Sequence, residues 1–238
     1  VTKPRLLEGI SVLSFDGDDT LWDFQTSMRG ALGVVLEELR AIVPGNASAS
    51  LTVEEMVRIR EEVAGGLGGR ISLEEIRVRA FIATLETLGV RDEALARDLN
   101  ETYRLTRLGL VTPFPDVVPA LDSLGSRFLM GLLTNGNTPA EAAGLGGRFA
   151  FQIFASEAGV EKPDPRIFEI CLRAAGCLPD ELLHVGDSAR DDVEGAHGAG
   201  IRCAWIRRRP GVPNPKTAPD LEISSLEDLA GLLLPQSP

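Results

Sequence analysis

Near the amino terminus, Ile10 to Phe15 make a short apolar run that includes Val12 and Leu13 and stops abruptly at Asp16-Gly17-Asp18-Asp19-Thr20. A run of that length, closed by turn-forming residues, reads as a strand buried in a parallel sheet. Such sheets need helical crossovers between their strands. They bind ligands beyond the carboxyl ends of those strands, where this chain delivers a cluster of acids.

The rest of the chain supplies the partners in two blocks. From about Thr26 to Leu108 the spacing is helical: Met28, Leu32, Val35, Leu36 and Leu39 share a face, and Thr52 with Glu55 and Ser72 with Glu75 have the pattern of capping boxes. Gly89 and Gly109 read as helix stops. About four helices and no strand are predicted there. After Thr112 strands and helices alternate. Phe128 to Leu133, Phe151 to Ala155, Leu182 to Val185 and Arg202 to Ile206 read as strands, and Val117 to Leu124, Arg166 to Ala175 and Val193 to Ala199 as crossover helices. Thr138-Pro139-Ala140-Glu141 has the features of a helix start whose amino end would face an anion. Arg207 to Pro219, with four prolines, reads as a loop. The predicted fold is α/β: a doubly wound, Rossmann-like parallel sheet built from residues 1–22 and 109–238, with an all-helical domain of residues 23–108 inserted after the first strand.

Composition narrows the class. With 238 residues, 44% hydrophobic and 25% charged, the chain is long enough for a core plus a smaller inserted domain and is not of a disordered type. Its 35 acidic against 24 basic residues give a net charge of −11, which repels nucleic acid and anionic lipid, so neither is an expected partner. An anionic substrate would need local positive charge. Cys171, Cys177 and Cys203 are odd in number and lack CxxC or metal-finger spacing, so reduced thiols and a cytoplasmic location are expected. Val1 to Gly9 lacks an apolar signal core, and no stretch approaches the ~18 apolar residues of a membrane span, so neither secretion nor insertion is expected.

Four segments follow one another along the chain: Phe15-Asp16-Gly17-Asp18-Asp19-Thr20-Leu21, Leu133-Thr134-Asn135-Gly136, Glu161-Lys162-Pro163-Asp164-Pro165, and Gly186-Asp187-Ser188 through Asp192. In that order they resemble the four motifs of the haloacid dehalogenase-like superfamily, in its phosphatase branch. The helical insert resembles that family's type 1 cap, and the likeness runs from Ile10 to Ile206. Gly17 stands where many relatives carry an apolar residue and Asp19 where glycine is common, but neither departure removes a chemical group.

The resemblance implies a Mg²⁺-dependent phosphatase acting on a small phosphorylated metabolite, such as a nucleotide or a sugar or sugar-acid phosphate. By motif position Asp16 is the nucleophile that forms an aspartyl phosphate. Asp18 protonates the departing alkoxide and later takes a proton from water. Lys162 neutralises nucleophile and phosphate, and Thr134 and Asn135 bind the phosphate. The anionic nucleophile and substrate repel each other, which calls for a hard cation with oxygen ligands. The resemblance gives that ion Asp16, Asp187 and the backbone carbonyl of Asp18, with Asp192 supporting them and Asp191 as the alternative support. A phosphomutase would share the aspartyl phosphate. A haloacid dehalogenase would attack carbon with Asp16 and need neither Asp18 nor the metal, and a silent binding protein would keep only the scaffold.

Other residues carry weaker expectations. His184 and His197 read as structural, and Trp22 as lining the entrance to the insert or stapling it to the core. Arg207, Arg208 and Arg209 read as charges of a solvated loop, with the gathering of anions at the sheet's active edge as the alternative. Within the insert, Gly65-Gly66-Leu67-Gly68-Gly69 reads as a flexible turn, and Arg70 and Arg79 as exposed helix-end and helix-face charges or, alternatively, as candidate substrate contacts.

Overall fold

The computed structural model describes residues 7–67, 71–209, 211 and 214–234. The chain divides into two compact units, Val1–Asp23 with Thr112–Pro238, and Phe24–Val111. No helix among the described residues is long and apolar enough to cross a membrane.

The unit Phe24–Val111 is helical: α1 (Phe24–Ile42), α2 (Asn46–Ser50), α3 (Val53–Leu67), α4 (Leu73–Thr87) and α5 (Glu93–Gly109). The α1 stripe Met28, Leu32, Val35, Leu36 and Leu39 is buried against Phe81 and Leu85 of α4 and Leu99 and Tyr103 of α5. Thr52 and Glu55 exchange backbone and side-chain hydrogen bonds across the start of α3. Ser72 accepts from the Glu75 amide at the start of α4, and Gly89 ends that helix in the left-handed region at φ 74°. The five-residue α2 carries no apolar periodicity by which the sequence could announce it. Arg79 pairs with Glu75 one turn away on an exposed helix face. Arg70, with Gly68 and Gly69, lies outside the described residues.

Among its described residues the other unit has six strands: β1 (Val12–Phe15), β2 (Leu129–Thr134), β3 (Phe151–Phe154), β4 (Leu182–Gly186), β5 (Arg202–Ile206) and β6 (Leu221–Ile223). All pair in parallel, in the order β3-β2-β1-β4-β5-β6. Every residue of β1 is buried, as a central strand with both faces covered requires. The helices are α6 (Val117–Leu124), α7 (Ala155–Ala158), α8 (Pro165–Ala175), α9 (Gly195–Gly198) and α10 (Leu226–Leu233). Ile167, Phe168 and Cys171 of α8 and Ala196 of α9 pack with Val12, Leu182, Cys203 and Trp205 from the strands. Helix α6 leads into β2 on one side of β1, whereas α8 leads from β3 across to β4. Right-handed crossovers running in opposite senses put these helices on opposite faces of the sheet. The sense reverses between β1 and β4, so a crevice opens beyond their carboxyl ends.

Two local readings change. Residues 138–143 do not start an α-helix: after Pro139 the chain makes one tight turn, Ala140–Ala143, and stops at Gly144 in the left-handed region. Glu141, read as a capping residue, instead accepts from Gln152, whose carbonyl oxygen holds the Ala140 amide. Strand β6 was not expected, because three residues with a charged centre after a proline-rich loop carry too little pattern.

Candidate active site

Strands β1 and β4 lie side by side with Phe15 opposite Val185. The Asp16 amide donates to the Val185 carbonyl at 2.8 Å, so Asp16 and Asp187 leave adjacent strand ends at the crevice. Asp16, Asp187 and Asp192 each present a carboxylate oxygen, and the three oxygens lie within 4.8 Å of one another.

Lys162 arrives from the loop before α8. The residue is 3% exposed, and its ammonium donates to Asp16 Oδ1 at 2.7 Å and to Asp192 Oδ1 at 2.6 Å. The loop is aimed by Asn135, whose Nδ2 donates to the Lys162 carbonyl at 2.9 Å while its Oδ1 accepts from the Lys162 amide at 2.8 Å. The side chain expected to bind phosphate is thus engaged on the Lys162 backbone. The physical reason is that Lys162 lies outside any helix or strand, so its backbone donor and acceptor need partners. Thr134, buried at the end of β2, accepts from the Gly136 amide through its hydroxyl at 2.9 Å.

Asp192 is the acid that joins the cluster. It sits on a widened, π-type turn, Ala189–Glu194, and its Oδ2 accepts from the Ser188 amide at 2.8 Å. Asp191 is only partly buried and lies outside the three-oxygen group. Behind Asp192 stands His184, fully buried, with Nε2 3.0 Å from Asp192 Oδ1 and Nδ1 2.9 Å from the Ser14 hydroxyl. An ionised Asp192 only accepts, so Nε2 donates and Nδ1 accepts from Ser14. His184 is structural, as its place in an apolar strand suggests, but what it supports is this site. Its position two residues before the strand's closing glycine was the available signal.

Burial first, then the carboxylates of Asp16 and Asp192, pushes Asp187 up to about 8. Burial likewise raises Asp16 to about 7, against the pull of Lys162. Asp192 is also buried, yet Lys162 and His184 hold it well below the usual carboxylate range. Burial keeps His184 neutral by lowering its pKa, whereas Lys162 is raised by its two acids despite its own burial. Three crowded carboxyl groups with one ammonium leave negative charge that a hard cation would offset. An all-oxygen donor set with that spacing fits Mg²⁺ rather than a thiolate- or imidazole-seeking ion.

Asp18 lies two residues beyond Asp16 on the same loop. Its Oδ1 accepts from the Trp22 indole N–H at 2.7 Å. A Cβ on Gly136 would come within 2.6 Å of its Oδ2, so the first and second motifs meet there. Trp22 is fully buried and explains Gly17: a Cβ at that position would lie 2.5 Å from the indole ring. Asp19 takes the left-handed conformation, φ 59°, that glycine commonly fills and that Asp tolerates. Its amide donates to the Trp22 carbonyl, which closes the turn.

The arginines after β5 turn onto acids. Arg207 pairs with Glu222 and stacks on Trp205, Arg208 pairs with Asp116, and Arg209 pairs with Asp19 and Asp23. His197 meets Asp220 away from the cluster. Cys171, Cys177 and Cys203 are free thiols, and burial pushes Cys171 up to about 12.

A doubly wound sheet with an acid at the end of β1, a lysine on a later loop and an acid pair after β4 defines a hydrolase. Residues 10–200 match the haloacid dehalogenase-like hydrolase family, and the chain belongs to it. Glyceraldehyde 3-phosphate phosphatase of Methanopyrus kandleri is 30% identical over 92% of this chain and 95% of its own length. Phosphoserine phosphatase of Thermus thermophilus is 35% identical over 64% of this chain, a match that spans 63% of that relative. Among solved structures, a 2-haloacid dehalogenase from Pseudomonas syringae pv. Tomato DC3000 aligns with a TM-score of 0.73 and 32% identity over 94% of this chain and 98% of its own.

Proposed function

We propose that this enzyme is a Mg²⁺-dependent phosphatase of small phosphomonoesters. The observation that carries this reading is the Lys162 ammonium held between Asp16 and Asp192 at the mouth of the β1/β4 crevice, with the Asp187 oxygen alongside. Asp16 is the nucleophile: its carboxylate forms the bond to phosphorus, and the alkoxide leaves with a proton from Asp18. Lys162 offsets the charge of Asp16 and of the bound phosphoryl oxygens, and Thr134 offers its hydroxyl to those oxygens. Asp18 then takes a proton from the water that attacks the aspartyl phosphate, and Asp16 is regenerated. Asp16, Asp187 and the Asp18 carbonyl would hold Mg²⁺, with Asp192 bracing Lys162. The ion, when bound, neutralises charge on Asp16 and on the substrate so that the two anions meet. The helical unit is the proposed cap domain.

The phosphatase relatives favour a phosphorylated metabolite of the size of a triose or amino-acid phosphate, or of a nucleotide or sugar-acid phosphate. Likeness to a dehalogenase raises a second reading in which Asp16 attacks carbon. The carboxyl of Asp18, placed by Trp22, and the three-acid cluster favour phosphorus. A panel of phosphomonoesters and 2-haloacids, each with Mg²⁺ and with chelator, tests the choice. Ester turnover that requires the metal supports the phosphatase, and metal-independent halide release with inert esters overturns it.

A further inference from the structure

Arg208, read from the sequence as a loop charge, solvated or gathering anions, instead packs its side chain inward, 8% exposed. Its Nε and Nη2 both donate to the Thr20 carbonyl, at 3.1 and 2.9 Å, and Nη1 donates to the two oxygens of Asp116, at 2.7 and 2.8 Å. The guanidinium also lies over Phe114, 4.4 Å from the ring centroid. Asp116 Oδ2 in turn accepts from the amide of Leu226, the first residue of α10, at 2.6 Å. One planar fork therefore ties the loop after β1, the start of α6 and the start of α10. A lysine ammonium lacks the fork and could not hold these partners together.

Thr20 is the pivot of this arrangement. It is fully buried, so its carbonyl needs a partner, and Arg208 supplies two donors. Its amide donates to the Gly17 carbonyl at 3.2 Å, which closes the turn that carries Asp16 and Asp18. Its hydroxyl donates to Asp187 Oδ1 at 3.4 Å. Arg209 adds a second hold on the same loop through Asp19 and Asp23.

We propose that Arg208 is a positioning residue: through Thr20 it fixes the nucleophile turn and the Asp187 carboxylate relative to each other, and it couples both to the α6/α10 helix pair. It touches no reacting atom. A displacement of about 1 Å in such a site costs on the order of 100-fold in rate, so a loosened fork should lower kcat while leaving substrate binding nearly intact.

The turnover arm of the test rests on the phosphatase reading, and the metal-binding arm does not. Arg208→Lys keeps the charge but loses the fork, Arg208→Gln loses both, and Arg207→Gln, which removes the rim pair with Glu222, is the control. On a phosphomonoester that the wild type hydrolyses, the Arg208 variants should lose about 10- to 100-fold in kcat per folded molecule, with KM within about threefold. Arg207→Gln should match the wild type. Calorimetric titration of the metal-free proteins with Mg²⁺ should show roughly tenfold weaker binding in Arg208→Lys, the upper part of the 10- to 100-fold range seen when residues that orient a ligand are lost being the limit.

Either loss in a folded Arg208→Lys protein supports the positioning role, and this variant decides if Arg208→Gln fails to fold. Wild-type kcat together with wild-type metal affinity overturns it, as does activity that only tracks the folded fraction in thermal melts. If the wild type binds Mg²⁺ but hydrolyses no ester, the phosphatase reading falls and the affinity arm alone judges Arg208. A wild type that does neither overturns both.

Discussion

His184 Nε2 lies 3.0 Å from Asp192 Oδ1 in the core of the sheet, and the same oxygen receives the Lys162 ammonium at 2.6 Å. The acid that grips Lys162 is therefore itself held from behind, through His184, by the Ser14 hydroxyl of β1.

Removing His184 should be felt as lost stability and a loosened Lys162. His184→Leu leaves the Ser14 hydroxyl short of this partner and removes one of the two side-chain donors to Asp192 Oδ1, which keeps Lys162, a cost of about 1–3 kcal/mol in all. The urea midpoint measures it. A variant as stable as the wild type would show that the chain His184–Asp192 carries no weight.

The Lys162 pair makes a stronger demand. Lys162→Met leaves Asp16 and Asp192 buried without their cation, and breaking such a pair from one side costs about 3–5 kcal/mol. Neutralising Asp16 in the same protein, Lys162→Met with Asp16→Asn, should recover part of that loss. Denaturant unfolding of the two single variants and the double variant measures the coupling, and strict additivity would contradict it.

The sequence carried more of the site than of its supports. Asp16, Thr134 and Asp187 were legible because each closes or follows an apolar run, and the parallel sheet brings those ends to one edge, whereas Lys162, on the loop between α7 and α8, was legible only through the Glu161-Lys162-Pro163 motif. Asp191 and Asp192 stood as alternatives because two neighbouring acids look alike in sequence, and the Ser188 amide and Lys162 ammonium that receive Asp192 distinguish them only in space. The task of Asn135 was hidden because a hydrogen bond to the Lys162 backbone, 27 positions away in the chain, leaves no local pattern. The inward turn of Arg208 was hidden for the same reason: three successive arginines look alike in sequence, and only the buried Thr20 carbonyl and Asp116 distinguish the middle one. Strand β6 and the short turn after Pro139 lack the length for a period to show.

Stability should depend on pH in a window set by the acids. Asp187 stands at about 8 and Asp16 at about 7, against an ordinary 3.8. A carboxyl raised by folding contributes stability that is full below its unfolded value and is lost as pH rises through its folded value. His184, shifted down, opposes this only below its ordinary 6.5. The metal-free protein should therefore lose stability between pH 6.5 and about 8, and saturating Mg²⁺ should reduce that loss by binding the deprotonated acids. Thermal melts in chelator and in Mg²⁺ across this range check the sign. A chelated protein that melts higher at pH 8 than at pH 6.5 would contradict the crowding of these carboxyls.

Trp22 should act on turnover through Asp18. Trp22→Phe keeps an aromatic ring near Gly17 but removes the donor 2.7 Å from Asp18 Oδ1. A general acid contributes about 10²–10⁴-fold, so under the role proposed for Asp18 a mis-set carboxyl should forfeit roughly tenfold in kcat with little change in KM. Steady-state kinetics on the best ester of the panel provide the check, and an unchanged kcat would free Asp18 from any dependence on the indole.

If the Asp16 carboxylate takes up the phosphoryl group, rapid acid quench of the enzyme during turnover, followed by peptide mass mapping, should find a phosphoryl adduct on Asp16. The adduct should be sensitive to hydroxylamine and missing from an Asp16→Asn protein that has also lost turnover. An adduct on another residue, or Asp16→Asn hydrolysing the ester at the wild-type rate, would contradict that role for Asp16.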